Sequence, residues 1–503
     1  MSKYVKALSK MGVEVTVFLP SHGRHLSEDF RRAFNLRHLE WFKVRGFRRG
    51  VDGRQYWHFI GAEEGFIDNI RFIMFKGLDY DTGRYLDRWD IYSELPEKAS
   101  LYARALKHWV DLTGDVPDLI HSNDWTSGLA GVLLKVYLES RGWAVPYVHS
   151  LHLLSSPSFP WHYASSDWSG IDDVLHRLWV GHRHELRSVK SVWDSVYGNV
   201  DHFTALEADA LAFTSYGYLN EVLDKFGRWL EPKSCIVHNV TDWSVGEVRE
   251  LASRYFNTDV RSILKYYVID YMNNANVGKY GYLRDIKLLT ISSGRLTAQK
   301  GFDMLIKALS NMDRDIGLLV CGISVGDAEF ERRIKELANL FPGRVLILFN
   351  QMPLDIVKIA VYSSNVFVVP SRYEPFGMVS IEAQAVGTPV VVSNVGGLPE
   401  TVLDLRRSIE GSGLIVDVWN EWELSKAVES LAYITESEDS GNRDLVWRVS
   451  IDWLRDLALR GDVHIRLNAI KWVNSRFRED SLVKELTACY EKARLYAYYR
   501  SIS

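Results

Sequence analysis

Only three cysteines, Cys235, Cys321 and Cys489, occur in 503 residues, and no two stand at the short spacing of a metal-binding or redox pair. Their scarcity argues against a disulfide framework or a zinc site, so no metal is expected, and it suits a reducing compartment. An excess of one charge is lacking too. Sixty Lys and Arg against 64 Asp and Glu leave a formal net charge of −4. Nothing in that balance attracts a nucleic acid or an anionic membrane surface. Long apolar runs are absent: the run from Ile316 to Ile323 is far too short to span a bilayer, and the N-terminus has no basic stretch followed by a signal-like apolar core. The expectation is a cytoplasmic protein with no membrane or nucleic-acid partner. Proline is sparse, at 13 residues, and no tract is of low complexity, so no part of the chain reads as disordered.

What is present is an ordered α/β pattern, with 47% hydrophobic and 25% charged residues. The length is about three times that of one α/β domain, which calls for two cores. Short runs of Val, Ile and Leu alternate with helical patterns, as parallel strands buried on both faces do. The first half offers Val13 to Pro20, Asp118 to Ser122, Pro146 to His152, Ala210 to Ser215 and Ser234 to His238. The second offers Lys287 to Ser293, Ile316 to Ile323, Arg344 to Phe349, Asn365 to Ser371, Pro389 to Asn394 and Gly413 to Asp417. Two parallel sheets with crossover helices follow. Between Asn239 and Arg284 the pattern is irregular, which suits a domain junction with a helical insertion and no strand. The expected domains are residues 1–240, 241–475 and a C-terminal helical segment 476–503, the last closing the second domain.

In open α/β sheets ligands bind beyond the carboxyl ends of the strands, so polar clusters there are the candidate sites. The strongest is Pro370 to Glu382, which follows one strand and opens a helix at Gly377. Gly377 permits close backbone approach, and the free N–H groups of Gly377, Met378 and Val379 suit a pyrophosphate. Glu374 in the loop and Glu382 in the helix offer carboxylates to two parts of one extended ligand. After another strand, Arg295 and Lys300 bring two cations to one loop, as a departing diphosphate requires. In the first half, His121 to Trp125 and Ser150 to His152 end strands, and Asp124 and His152 are the candidates to face a sugar. His149 lies on the other face of its strand and reads as structural. Seventeen tryptophans suit sugar stacking, though large aromatics are more often ordinary packing.

With those residues in view, the sequence resembles the glycogen and starch synthases, and looks nearest to their archaeal branch. The resemblance runs through Val13 to Arg24, His121 to Leu129, Ser158 to Tyr163, Gly294 to Gly301, Pro370 to Glu382 and Val395 to Leu398. It implies an α/β fold of two Rossmann-like domains facing a central cleft, the GT-B arrangement, with a C-terminal helix. It also implies a hexosyltransferase that adds glucose from ADP-glucose or UDP-glucose to an α-1,4-glucan with retention, using no cofactor. By the resemblance Arg295 and Lys300 hold the donor diphosphate, Glu374 stands at the reacting sugar, Glu382 at the ribose, and Asp124 and His152 line the glucose site.

Some positions depart from the family pattern. His-Asp-Trp-His reads here as Asn123-Asp124-Trp125-Thr126, and Asn-Gly-x-Asp as Asn239-Val240-Thr241-Asp242. The family opens with a strand and a Lys-x-Gly-Gly loop, whereas Ser2 to Met11 already match its first helix, so a strand and loop are expected upstream of Met1. Two alternatives stay open: a retaining transferase with a small sugar acceptor, and a non-catalytic glucan-binding homologue.

Overall fold

The computed structural model describes residues 3–90, 95–154, 157–417 and 419–502. The chain divides into two compact units, the first comprising Met1–Thr214, Leu219–Val237 and Leu482–Ser503, the second Ser215–Tyr218 and His238–Ser481. In the first unit the strands are β1 (Thr16–Pro20), β2 (Arg37–Arg49), β3 (Gln55–Ile67), β4 (Ile70–Gly77), β5 (Ile120–Asn123), β6 (Tyr147–Leu151), β7 (Leu175–Val180), β8 (Arg183–Ser188), β9 (Ala210–Phe213) and β10 (Ser234–Ile236). In the second they are β11 (Lys279–Leu283), β12 (Leu288–Arg295), β13 (Ile316–Ile323), β14 (Arg344–Leu348), β15 (Val366–Val369), β16 (Val390–Ser393) and β17 (Gly413–Val416).

The second unit follows the sequence pattern closely. Its seven-stranded sheet runs β11-β14-β13-β12-β15-β16-β17 and is parallel except at the β11 edge. Adjacent residues along each strand enter different cores. Leu289, Ile291 and Leu319 pack on one face, whereas Leu288, Leu318 and Val320 pack on the other. With both faces covered by helices, the central strands are buried along most of their length, and that is why their runs are largely apolar. The order reverses at β12, whose neighbours are β13 on one side and β15 on the other. A crevice opens where crossovers leave a sheet in opposite directions, so the loops after β12 and β15 lie where an open α/β sheet binds its ligand. The segment before the sheet holds two helices, Val245–Phe256 and Arg261–Asn274, as the irregular stretch suggested. It also holds β11, which was not expected. As an antiparallel edge strand it buries only Leu283 and lacks the apolar run of a central strand.

The first unit departs further from the expectation of one parallel sheet. β10-β9-β6-β5 is parallel throughout, but β1-β4-β3-β2 is mixed, with β4–β3 and β3–β2 antiparallel. Strand β2 alternates buried Phe42 and Val44 with charged neighbours, the mark of a sheet with one solvated face rather than a buried run. The β3–β4 turn is Asp68-Asn69, both at positive φ (49° and 63°), a two-residue hairpin connection of the kind those residues favour. A further hairpin, β7–β8, turns at Gly181.

The last helix, Glu479–Ile502, packs within the first unit rather than closing the second. Its buried stripe is Leu482, Leu486, Cys489, Ala493, Ala497 and Arg500. The Arg500 guanidinium, only 2% exposed, forms ion pairs with Asp209 (3.0 Å) and Glu139 (2.6 Å). Leaving such a cation unpaired would be far costlier than the pair is favourable, which fixes where the helix must dock. Among the described residues no helix is long and apolar enough to cross a membrane.

Candidate active site

The residues singled out after β12 and β15 meet in the second unit. Lys300, in a 3-10 turn that begins three residues after β12, donates from Nζ to Glu374 Oε2 at 2.6 Å, and Ser371 Oγ donates to the same oxygen at 3.3 Å. The two loops are braced against each other. Arg372 grips Asp303 with both guanidinium nitrogens (2.9 and 3.0 Å) and its backbone N–H bonds Gln299 O at 2.8 Å, while Gln299 Nε2 returns a bond to Tyr373 O at 3.0 Å. Such a bidentate pair fixes orientation as well as distance. Sequence reasoning missed the brace, because Asp303 and Arg372 lie 69 positions apart. The Arg295 side chain is exposed at the end of β12 and has no ion-pair partner among the described residues.

Glycine makes this loop cluster possible. Gly377 stands at φ 103° as the N-cap of helix Met378–Ala385, and no side chain caps that helix, so the N–H groups of Met378 and Val379 stay open to an anion. A Cβ on Gly396 would fall 2.1 Å from Glu374 O, and one on Gly397 would fall 2.3 Å from Pro375 O. The Gly396-Gly397 turn therefore fits against the backbone of the Glu374 loop rather than merely reversing the chain. Glu382 is half-buried one turn further along the helix. At the ends of β16 and β17 a cavity of about 620 Å³ is lined by Asn394, Asp417, Trp419, Asn420 and Glu421. The Arg372 guanidinium lies 5.0 Å from the Trp419 ring centroid, which brings the Glu374 loop up to that cavity.

In the first unit the structure brings Asp124 and His152 together. Asp124 opens helix Asp124–Glu139 at φ 52°, and its Oδ1 accepts the backbone N–H groups of His152 (2.7 Å) and Leu153 (3.4 Å). His152 Nε2 lies 3.1 Å from Asn123 Oδ1, a contact that sequence reading did not include. Behind them, His121 bridges Tyr490 OH and Ser150 Oγ, each at 2.8 Å, and buried His149 bonds Ser122 Oγ at 2.7 Å. Burial, with neighbouring histidines adding to it, pulls His121 and His149 down to about 3, so both are neutral at ordinary pH. Asp124 thus fixes the end of β6, and the side chain of His152 is the group left facing outward. Among the described residues no cluster of three or more His, Cys, Asp or Glu side chains could hold a metal.

The family description "Starch synthase catalytic domain" matches residues 1–232, and "Glycosyl transferases group 1" matches residues 283–440. The glycogen synthase of Bacillus licheniformis is 25% identical over 492 residues, 92% of this chain and 94% of that protein. The chain belongs to the glycogen and starch synthase family. As a member of that family it is a hexosyltransferase. The glycogen synthase of Acidiphilium cryptum is 28% identical over 353 residues, covering 66% of this chain and 67% of its own length. Among solved structures, the catalytic domain of starch synthase IV from Arabidopsis thaliana, bound to ADP and acarbose, aligns over 98% of this chain and 94% of that one with a TM-score of 0.69 at 15% identity. Sucrose-phosphate synthase from Thermosynechococcus elongatus aligns over 99% and 92% with a TM-score of 0.54 at 20% identity. At those identities the likeness concerns the fold, which is GT-B: two Rossmann-like domains, as the sequence implied.

Proposed function

We propose that this member of the glycogen and starch synthase family works in the cytoplasm, moving glucose from ADP-glucose or UDP-glucose to the terminal 4-hydroxyl of an α-1,4-glucan with retention of configuration. The observation that carries the reading is the Lys300–Glu374 pair, held at 2.6 Å at the point where the strand order reverses, beside an uncapped helix N-terminus. A donor diphosphate carries more charge than one carboxylate. It draws Lys300 away from Glu374, joins Arg295, and accepts the open N–H groups of Met378 and Val379. Glu374 is then free to accept from a sugar hydroxyl, and Glu382 to accept from the ribose. In the first unit His152, held by Asp124 and Asn123, donates to a hydroxyl of the glucose being transferred.

The bond from the anomeric carbon to the diphosphate oxygen breaks as the acceptor oxygen attacks the same face. The acceptor proton passes to the departing diphosphate, whose growing charge Arg295 and Lys300 stabilise. No enzyme base is required, unlike the carboxylate pairs of glycosidases. Incubating the full chain with glycogen and radiolabelled ADP-glucose or UDP-glucose tests the reading. Label should enter glycogen from at least one donor. Label passing only to free glucose or fructose would replace it with the small-acceptor reading, and no transfer to any acceptor would replace it with a non-catalytic one.

A further inference from the structure

The second unit takes in a short piece of chain from far upstream, Ser215–Tyr218. It has no part in the site above, yet it touches the loop that carries Glu374. Ser215 is fully buried, and its Oγ donates to Pro375 O at 2.7 Å while accepting the Tyr218 N–H at 3.0 Å. One residue earlier in that loop, Glu374 O accepts the Gly397 N–H at 3.0 Å. Two successive carbonyls are thus held, one by the Gly396-Gly397 turn and one by Ser215. They fix the backbone immediately after Glu374, and with it the direction in which that carboxylate points.

Glu400 holds the same segment from the other side. It stands in the 3-10 turn Leu398–Thr401, and its carboxylate accepts the N–H groups of Tyr216 (3.0 Å) and Gly217 (2.7 Å), which open helix Tyr216–Phe226. A carboxylate on the N–H groups of a helix start is favoured twice, by charge-assisted bonds and by the helix dipole. His238 Nε2 lies 3.4 Å from the same carboxylate. The fit leaves no slack: a Cβ on Gly217 would fall 2.1 Å from Gly396 O, and one on Gly397 would fall 2.6 Å from Ser215 Oγ. Three pieces of backbone, at Gly217, Pro375 and Gly397, are therefore stacked at contact distance. Ser215 and Glu400 are the side chains that lock the first of them in place.

We propose that Ser215 and Glu400 are positioning residues for the transfer reaction, holding the backbone that aims the Glu374 carboxylate at the sugar. The inference rests on the role given to Glu374 above, and both residues act through it rather than on the donor. It is tested on the full protein by transfer of labelled glucose to glycogen. Ser215→Ala and Glu400→Ala should each lower kcat about tenfold while donor KM stays within about twofold, because a misaimed carboxylate costs more in the transition state than in donor binding. Glu400→Gln keeps one acceptor oxygen and should recover most of that loss. The deciding measurement is made in a Glu374→Ala background. There neither substitution should lower the residual transfer further, since no carboxylate remains to be aimed. A merely structural role would lower the melting temperature and multiply with the loss in Glu374→Ala, and that result would overturn the proposal. Wild-type kcat in both single variants beside an inactive Glu374→Ala would also overturn it, and would leave the role of Glu374 standing. Full activity in Glu374→Ala, or a wild-type chain that transfers nothing, would remove the role of Glu374 and this inference with it. Should Ser215→Ala fold poorly, Glu400→Ala carries the same comparison.

Discussion

The two units end their strands in different ways. In the second, the loops beyond β12, β15 and β16 are built on Gly301, Gly377 and Gly396, all at positive φ, with Gly301 and Gly396 set backbone against backbone and Gly377 set against the Leu398 side chain. In the first, the ends of β5 and β6 carry His121, His149 and His152, tied to Ser122, Ser150, Asn123 and Tyr490. Thirteen of the fifteen histidines belong to the first unit. A glycine-built end lets main-chain N–H groups and a mobile cation reach a phosphate. A histidine-built end holds one side chain rigidly and keeps those behind it neutral. On the function proposed above, the same kind of sheet edge serves charge in one unit and hydroxyl recognition in the other.

The largest test of that contrast is removal of the charged pair. Glu374→Ala and Lys300→Ala should each lower glucosyl transfer about 10²–10³-fold with unchanged melting, as removing one preorganised electrostatic partner does elsewhere. Arg295→Ala should lower kcat more than it raises the donor KM, since it acts on charge that grows in the transition state. Wild-type turnover in Glu374→Ala would remove the chemical half of the comparison.

Acid should separate the units next. His121 and His149 titrate near 3 when folded but near 6.5 when unfolded. Between those values the unfolded chain binds more protons, so stability falls as pH drops from 6.5, by up to about 1.4 kcal/mol per pH unit for each such histidine. His22, His25, His58 and His202 are lowered in the same direction, chiefly by burial, and all lie in the first unit. Hydrogen exchange at pH 7 and pH 5 should show protection lost first from the first unit, and equal loss in both would contradict the contrast. Gly377→Ala should then destabilise the second unit by about 1–3 kcal/mol, because the new Cβ would lie 2.4 Å from Leu398 Cδ2 at φ 103°. The smallest effect expected is that of Tyr490→Phe. It removes a partner from buried His121 and should cost about 1 kcal/mol in denaturant unfolding of the first unit.

The sequence made the second unit readable because its strands are buried on both faces. Runs such as Ile316 to Ile323 admit only apolar or very small residues, and the observed strand has those same limits. Strand β2 escaped because one-sided burial spreads its signal over alternate positions among Arg, Lys and Glu, whereas β4 holds the consecutive apolar, buried run Phe72 to Phe75, a signal that went unused. The Asp68-Asn69 turn before β4 was a local cue that also went unused. For the site, strand-end position was enough to pick out Lys300 and Glu374, or Asp124 and His152. It could not reveal that they touch across 74 and 28 positions, nor that Asp303 and Arg372 brace the loops between them. Contacts at such separations are made by topology, and one sequence does not encode them in any local pattern.

The placement of the last helix has a consequence for the order in which the protein is made. The first unit is begun by the opening residues of the chain but lacks Leu482, Leu486 and the Arg500 partner of Asp209 until the whole of His238–Ser481 has left the ribosome. At ordinary elongation rates those roughly 240 residues take about 12 to 50 s. By the end of that interval the second unit has all its strands in hand while Asp209 and Glu139 still await their cation. The unit made first is therefore the one finished last.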